Sequence, residues 1–471
     1  MVFSSLTFLC FFLTIVFALY LVSPDLRVRN GVLLVFSLLF YAWGEPIWVL
    51  GMVFTTVVNF VCALAIAHTE GSGRRKLLVF IAVAVSLAFL LYFKYAAFLV
   101  NSVTGILGIS FRLPAQRLPI GISFYTFQAI TYTVDVYRGR AKAQGNPLLV
   151  LLFICFFPQL IAGPIVQYGD IAERLNERSS PSSEAYQGFV RFIIGLSKKV
   201  LLANMCGEAL NLLPVAGGGK PLSLLGSWLS MTLFALQIYF DFSGYSDMGI
   251  GMGRMFGFRF LENFNYPYIS KSISEFWQRW HMSLGAFFRD YVYIPLGGNR
   301  VSKRRLALNL MAVWMLTGLW HGASWNFVAW GAYYGVLIIL ERLVLERLAG
   351  KIPGALRVAG TLILVLFGWA LFYYESLPAG LAHIGAMLGF SGGGLADPVT
   401  AYVFKHNVVL ILASIVCCLP WIKWSKEGKH LSLDHDAVGI LVQPALMSAL
   451  LLLSVLFLVG QSFNPFLYFR F

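Results

Sequence analysis

Charged residues are scarce in this chain, and their scarcity excludes an ordinary soluble fold. Only 12% of the 471 residues are Asp, Glu, Lys or Arg, whereas 59% are hydrophobic. A soluble domain usually carries about 25% charged residues. The mean hydropathy of +0.76 agrees with this contrast. We therefore expect a chain whose solvent is mostly lipid.

CxxC motifs and closely spaced histidines are also missing from the sequence. None of the six cysteines forms a CxxC pair, which argues against both a disulfide framework and a zinc site. No two of the seven histidines lie four residues apart, so we expect no metal centre. We expect the cysteines to be small buried hydrophobic residues. They are Cys10, Cys62, Cys155, Cys206, Cys417 and Cys418.

Two further patterns are absent. The apolar runs are too long and continuous for the ten-residue alternation of an outer-membrane barrel. No internal repeat is visible, which counts mildly against a transporter built from inverted repeats.

Long apolar runs dominate what is present and predict an all-α, polytopic membrane protein. A membrane span needs about 20 apolar residues. We expect about 11 crossings, give or take two, and a single membrane domain over 1–471. The N-terminal run has no basic flank and is expected to be a retained first span. Candidate spans are near 5–22, 31–43, 47–66, 77–93, 94–110, 118–136, 146–163, 186–212, 224–241, 306–320, 325–341, 355–373, 400–421 and 438–460.

The net charge of +14 comes from short basic runs between the apolar segments. These runs form no basic face, so nucleic acid is not an expected partner. They are typical of cytoplasmic loops under the positive-inside rule, which places the N-terminus outside. The runs are Arg27/Arg29, Arg74/Arg75/Lys76, Arg138/Arg140/Lys142, Arg300/Lys303/Arg304/Arg305 and Lys423/Lys426/Lys429.

Residues 258–305 interleave charges, amides and aromatic residues as no other segment does. Ser272 and Glu275 form a capping box that predicts a helix start. Aromatic residues then follow at helical spacing, with His281 beside them, until Pro295 breaks the helix. Such a helix is either an interfacial amphipathic element that meets lipid phosphates or a re-entrant one.

His321 is a second exception to the apolar composition of the chain. It is an ionisable residue within residues 306–340, which contain no Asp, Glu, Lys or Arg. An ionisable side chain inside a membrane is costly and usually marks a site. Histidine is also well suited to proton transfer near neutral pH. A functional His321 is therefore favoured over a core histidine, and the other histidines are treated as incidental.

Two weaker features lie nearby. Asp241 and Asp247 adjoin an apolar run, and buried carboxylates there need partners, for which the 254–300 region offers Arg and Lys. Pro158, Gly163 and Pro164 predict a kink or a broken helix at the end of a span. A structural role is favoured for both features.

Several of these motifs together resemble the membrane-bound O-acyltransferase family, and within it the bacterial alginate O-acetyltransferase (AlgI-like) branch. The resemblance runs from the N-terminus to about residue 345; beyond that only hydropathy matches. The motifs are FYAWGEP, LPIGISFYTFQAITYTVDVYRG, FPQLIAGPIVQY, the block from IYFDFSGYSDM to YIPLGGNR, and GLWHGASWNFVAWGAYYG.

The resemblance implies helices around a central tunnel with two histidines near its middle, which by position are His281 and His321, in a catalytic region of about 231–341. His321 would be the general base that activates a hydroxyl acceptor, and His281 would bind the donor or the oxyanion. The acyl donor would be acetyl-CoA or an acyl-carrier thioester, used as substrate with no bound cofactor, and the 300–305 run would suit its phosphates. The expected substrate-binding residues are Trp320, Asn326, Trp280, Arg279 and Asp241.

The implied product is an O-acetylated exported or cell-wall polysaccharide, made at the bacterial inner membrane with a periplasmic SGNH-type acetyltransferase as partner. Within the same family, D-alanyl transfer to teichoic acid and peptidoglycan O-acetylation remain open. From other classes, the alternatives are a transporter or flippase gated by the 258–305 region, and a non-catalytic secretion-complex subunit.

Overall fold

A computed structural model describes residues 1–161, 163–178, 182–216, 221–345, 351–421 and 437–460, together with Phe463 and Leu467. These residues form helices and loops without a β-strand. Among the described residues, seven helical segments are long and apolar enough to cross a membrane, so the chain is an all-helical, multi-pass membrane protein. The count of about 11 crossings stays a prediction. The seven are Leu26–Gly44, Trp48–His68, Ser72–Ile106, Trp325–Val344, Gly354–Tyr373, Pro398–Cys417 and Val442–Gly460.

Most of the described helices overlap a predicted apolar run, although the helix that begins at Leu224 extends to Met255, beyond the predicted 224–241. In chain order they are α1 (Thr14–Val22), α2 (Leu26–Gly44), α3 (Trp48–His68), α4 (Ser72–Leu90), α5 (Ala96–Ile106), α6 (Ile122–Tyr137), α7 (Pro147–Cys155), α8 (Phe157–Leu160), α9 (Tyr168–Asn176), α10 (Ser182–Ser197), α11 (Met205–Asn211), α12 (Leu224–Met255), α13 (Ile273–Arg279), α14 (Met282–Phe288), α15 (Lys303–His321), α16 (Trp325–Leu340), α17 (Gly354–Tyr373), α18 (Leu377–Met387), α19 (Pro398–Cys417) and α20 (Ala437–Gly460).

Short helical segments of other geometry join several of these helices. Five are π-helical, a form often found where a helix bends or serves a site. They are Thr7–Leu13, Leu91–Tyr95, Lys198–Asn204, Arg289–Tyr293 and Glu341–Leu345, and Pro267–Ile269 is a 3₁₀ turn. The chain divides into two compact units, residues 1–192 with 245–261, and residues 193–244 with 262–471. The single domain over 1–471 stays a prediction.

The separate spans predicted for 77–93 and 94–110 are wrong. One continuous helical segment, Ser72–Ile106, runs through both. Between residues 77 and 104 the only charged residue is Lys94, and neither Pro nor Gly occurs. Nothing in that stretch therefore ends the helix, although its hydrogen bonds take π geometry at Leu91–Tyr95.

The broken helix predicted near Pro158 is confirmed. Helix α7 ends at Cys155, Phe156 leaves helical geometry with ψ of 112°, and α8 is a single turn. A Cβ at Gly163 would lie 2.6 Å from the Cα of Gln159. Only glycine permits the chain to fold back so closely over this turn.

The basic loops of the first unit lie at one end of it, as the positive-inside rule requires. Three hydrogen bonds connect them: Arg75 to the Tyr137 carbonyl at 3.0 Å, Gln144 to Asn176 at 3.3 Å, and Arg178 to Asn30 at 2.6 Å. The predicted loop with Lys423, Lys426 and Lys429, and His430 and His435, lie outside the described residues.

Candidate active site

His321 lies in the wall of a small buried cavity in the second unit. The cavity has a volume of about 20 Å³, roughly the space of one water molecule. A substrate group can therefore reach His321 only when lining side chains move. The lining residues are mostly aromatic: Ile238, Asp241, Phe242, Trp277, Trp280, His321, Trp330, Trp369, Phe372 and Leu467.

The position of His321 follows from close packing of α15 against α16. A Cβ at Gly318 would lie 2.4 Å from a backbone oxygen of α16, and one at Gly331 would lie 2.5 Å from the Trp314 carbonyl oxygen. The backbones of the two helices are therefore in direct contact at these glycines. The last residue of α15, His321, is buried and meets the Trp330 ring with centroids 5.0 Å apart.

The single helix predicted from Ser272 towards Pro295 is wrong, because the chain breaks at His281. The predicted Ser272 cap at its start is confirmed, since Glu275 N–H donates to Ser272 Oγ at 3.0 Å. The Glu275 carboxylate reaches back one residue further than in a capping box and accepts from the Lys271 N–H at 2.9 Å. Helix α13 ends at Arg279, and His281 takes a left-handed conformation with φ of 47°. Such a conformation is uncommon for a residue with a Cβ and costs about 1–3 kcal/mol.

Hydrogen bonds to residues 263–265 hold this break in place. The Asn265 N–H donates to the Arg279 carbonyl at 2.9 Å, and the Met282 N–H donates to the Asn263 carbonyl at 2.9 Å. Because these partners are distant in sequence, helical periodicity gives no sign of them.

The Asn263 side chain defines the protonation of His281. The Ser283 N–H can only donate, and it lies 3.2 Å from Asn263 Oδ1, so the atom there is the amide oxygen. His281 Nδ1 lies 3.1 Å from the same oxygen and must therefore carry a proton. In the neutral ring, Nε2 is then the basic nitrogen.

Aromatic rings connect the two predicted histidines. The Trp320 ring lies 5.8 Å from the His281 ring and 4.9 Å from the His321 ring, measured between centroids. Phe242 lines the cavity and contacts His281 at 4.6 Å. His281, Trp320 and His321 are thus gathered in one buried cluster, and Trp280 lines the same cavity.

Asp241 also lines the cavity, and its partner is not in the 254–300 region. Lys199 Nζ lies 2.6 Å from Asp241 Oδ1, and both side chains are buried. The Leu467 N–H donates to the other carboxylate oxygen at 2.9 Å. A Cβ at Gly244 would lie 2.6 Å from the Gly195 carbonyl oxygen. This close approach brings the segment after α10 beside Asp241, so the predicted source of the partner is wrong.

Asp247 has a similar partner within the first unit. Arg191 Nη2 lies 2.6 Å from its carboxylate. Lys199 and Arg191 both come from the predicted span 186–212, where a basic residue in an apolar run is itself a sign of a buried ion pair.

Three indole groups in the cavity wall carry buried donors. Among the described residues, Trp277 Nε1, Trp330 Nε1 and Trp369 Nε1 are buried without a hydrogen-bond partner. A buried N–H without an acceptor costs about 1–3 kcal/mol. Three such groups around one cavity are therefore suited to an oxygen that arrives with a substrate.

Two predicted binding residues use their polar groups within the protein. Arg279 pairs with Glu275 at 2.8 Å and also donates to the Asn265 carbonyl. Asn326 donates to the Tyr374 carbonyl at 2.7 Å and so ties the start of α16 to the end of α17. Neither lines the cavity, and their roles in substrate binding stay predictions.

His383, treated as incidental from its sequence, is fully buried in a hydrogen-bond chain. Its Nε2 donates to the Ser227 carbonyl at 3.1 Å, so the Tyr374 hydroxyl donates to its Nδ1 at 2.8 Å. No group of three His, Cys, Asp or Glu suited to a metal occurs in the described part of the chain.

The sequence matches known proteins along its whole length. The profile of the membrane-bound O-acyltransferase (MBOAT) family matches residues 138–381. The chain is 39% identical to the probable alginate O-acetylase AlgI of Azotobacter vinelandii and 37% identical to that of Pseudomonas aeruginosa, in both cases over all of both chains. It is 30% identical to the peptidoglycan O-acetyltransferase of Helicobacter pylori, over 92% of this chain and 90% of that one.

Proposed function

Because this chain belongs to the membrane-bound O-acyltransferase family, we propose that it moves an acetyl group from a thioester donor to a hydroxyl of an exported or cell-wall polysaccharide. The acceptor class rests on the alginate O-acetylases that it resembles along its whole length. The observation that carries the catalytic assignment is His321 in the wall of a buried cavity, within one cluster with Trp320 and His281.

In this proposal His321 is the general base. A hydroxyl group is a poor nucleophile, so its proton passes to the imidazole while its oxygen attacks the thioester carbonyl carbon. The C–S bond of the resulting tetrahedral intermediate then breaks. The proton returns to the departing sulfur, which leaves an ester and a thiol. A buried cavity protects the thioester from hydrolysis.

The oxygen that becomes negative in the intermediate needs donors. The Nε1–H groups of Trp277, Trp330 and Trp369 are the candidates, because each lines the cavity and is buried without an acceptor in the described part of the chain. Donors fixed in this way need no reorganisation during the reaction. His281, held by Asn263, would position the acceptor hydroxyl or the donor.

The donor would approach from the cytoplasmic side of a bacterial inner membrane. The basic loops gathered at one end of the first unit support that orientation. In the second unit, Arg300, Lys303, Arg304 and Arg305 are exposed at the start of α15, where they can meet the phosphates of coenzyme A or of a carrier's arm. On the other side, a periplasmic SGNH-type acetyltransferase would pass the group to the polymer.

The test is release of thiol from labelled acetyl-CoA by the purified protein in lipid, with and without a polysaccharide acceptor. Replacing His321 by Gln keeps a similar shape without the basic nitrogen, and we expect a rate loss of about 10²–10⁴-fold. His406→Ala is the matched control, since His406 is exposed on α19. All variants must first show the same unfolding temperature.

Equal rates for wild type and His321→Gln would remove His321 from the chemistry. Turnover only with an acyl-carrier donor, or only with teichoic acid or peptidoglycan as acceptor, would move the assignment to D-alanyl transfer or to peptidoglycan O-acetylation. No turnover with any donor, acceptor or periplasmic partner would favour a transporter or a scaffold.

A further inference from the structure

A second, larger recess in the second unit lies between α16 and α17. It is an open groove of about 660 Å³. One wall is apolar and comes from both helices, with Leu337 and Ile338 on α16 and Leu356 and Leu364 on α17. Gly360 lies between the last two, one helical turn from each. A Cβ at Gly360 would have nothing within 4 Å, so the groove is open at that point.

The apolar wall has the length and setting of a lipid-chain site. Residues 356, 360 and 364 recur every four positions and therefore share one face of α17. At 1.5 Å per residue they extend over about 12 Å. Both helices belong to the segments long and apolar enough to cross a membrane, and Leu356 is exposed.

Three cations lie at one end of this groove: Lys271, Arg342 and Arg357. None of them forms an ion pair with a carboxylate in the part of the chain that the structure describes. Arg342 donates to the Tyr293 hydroxyl at 3.3 Å, and Arg357 donates to the Lys271 carbonyl at 3.3 Å. Both acceptors are neutral, so neither hydrogen bond compensates the positive charge of its arginine.

One carboxylate also faces the groove, but it is already engaged. Glu341 Oε2 accepts from the Ser274 N–H at 2.9 Å and from its hydroxyl at 3.0 Å. With three cations against one carboxylate, the described lining residues of the groove carry an excess of positive charge. The combination of a cationic end and an apolar wall is complementary to an anionic amphiphile.

We propose that this groove binds an anionic phospholipid of the bilayer, with its phosphate at Lys271, Arg342 and Arg357 and an acyl chain between α16 and α17. Long basic side chains at helix ends commonly reach for lipid phosphates. A water-soluble donor would make no use of an apolar wall about 12 Å long, which favours the lipid over a coenzyme.

The bound lipid would also act on the cavity, a consequence that rests on the proposed function. Glu341 in the groove holds Ser274 in α13, and Trp277 of the same helix lines the catalytic cavity. A lipid in the groove would therefore restrict the motion of α13 and of Trp277 in the cavity wall. We expect acyl transfer to be faster with anionic lipid than with zwitterionic lipid alone.

The test measures lipid retention directly. The protein is purified from vesicles of phosphatidylcholine and phosphatidylglycerol, and retained lipid is counted by native mass spectrometry. We expect about one phosphatidylglycerol per wild-type chain. The double variant Arg342→Gln/Arg357→Gln should bind it roughly 30-fold more weakly, about fivefold for each Arg. Gly360→Leu, which fills the groove without changing charge, should also lose it.

Arg140→Gln/Lys142→Gln is the matched control, because it removes two exposed cations that lie outside both the groove and the cluster assigned to the donor's phosphates. Equal retention by the wild type and both groove variants would overturn the proposal. So would equal retention of phosphatidylcholine. Displacement of the lipid by coenzyme A, with groove variants that lose coenzyme A binding, would assign the groove to the donor's phosphates instead. Because retention does not depend on turnover, lipid binding can succeed even where the proposed acyl transfer fails.

Discussion

The buried ion pair between Lys199 and Asp241 leads to the sharpest prediction for stability. The two charges are 2.6 Å apart, and their side chains are 2% and 4% exposed. At an effective dielectric constant of about 20, their attraction is about 6 kcal/mol, which offsets a desolvation cost of several kcal/mol per ion. Replacing Lys199 by Met leaves the carboxylate buried without its cation. We expect the free energy of unfolding to fall by about 3–5 kcal/mol.

The assay is a double-mutant cycle on detergent-solubilised protein. Unfolding free energies are measured for the wild type, Lys199→Met, Asp241→Leu and the double variant. The double variant removes both charges, so it should be more stable than either single variant and within about 1–2 kcal/mol of wild type. Its acyl-transfer activity, measured in parallel, tells whether Asp241 also serves the cavity that it lines.

The control is Arg254→Met, which removes one of two cations from the partly exposed Glu184. Arg254 lies 3.1 Å from this carboxylate, and Arg259 remains paired with it at 2.6 Å. Exposed pairs contribute about 0–1 kcal/mol, so this variant should be nearly neutral. A loss below about 1 kcal/mol for Lys199→Met, or single-variant losses that simply add in the double variant, would refute the reasoning and show that water screens the pair.

Three further predictions concern the site's supports. Asn263→Ala should lower kcat about tenfold to a hundredfold at unchanged KM, because His281 loses its fixed proton partner; steady-state kinetics check this, and Asn263→Asp, which keeps an acceptor oxygen, should restore most of the rate. Gly331→Ala should cost about 1–3 kcal/mol in thermal unfolding through overpacking, whereas Gly105→Ala, with open space around it, should be neutral or slightly stabilising. Ser272→Ala should cost about 0.5–2 kcal/mol through loss of a helix cap, and an unchanged unfolding temperature would contradict it.

Long apolar runs and local caps could be predicted well from the sequence. The span predicted for 325–341 is observed as Trp325–Leu340, and that for 355–373 as Gly354–Tyr373. In both, a continuous run of apolar residues ends at polar or helix-breaking residues, so composition alone sets the bounds. The cap at Ser272 depends only on residues three positions apart.

The details of the candidate site depend on contacts that are distant in sequence. Periodicity predicted a continuous helix through His281 because the aromatic residues on either side keep helical spacing. The break comes from Asn263 and Asn265, which bond the backbone on both sides of it. The partner of Asp241 was likewise sought among its neighbours in sequence, whereas Lys199 comes from an earlier helical segment.

These contacts also explain how so short a helix can hold Trp277 in the wall of the cavity. Helix α13 has seven residues, and isolated helices shorter than about 12 residues are marginal in water. Its position must therefore come from its anchors. Glu341 holds Ser274 at its start, and the Arg279 carbonyl is bound by Asn265 at its end. A change at either anchor should move Trp277 relative to the cavity, so residues far from the substrate should alter the rate of acyl transfer.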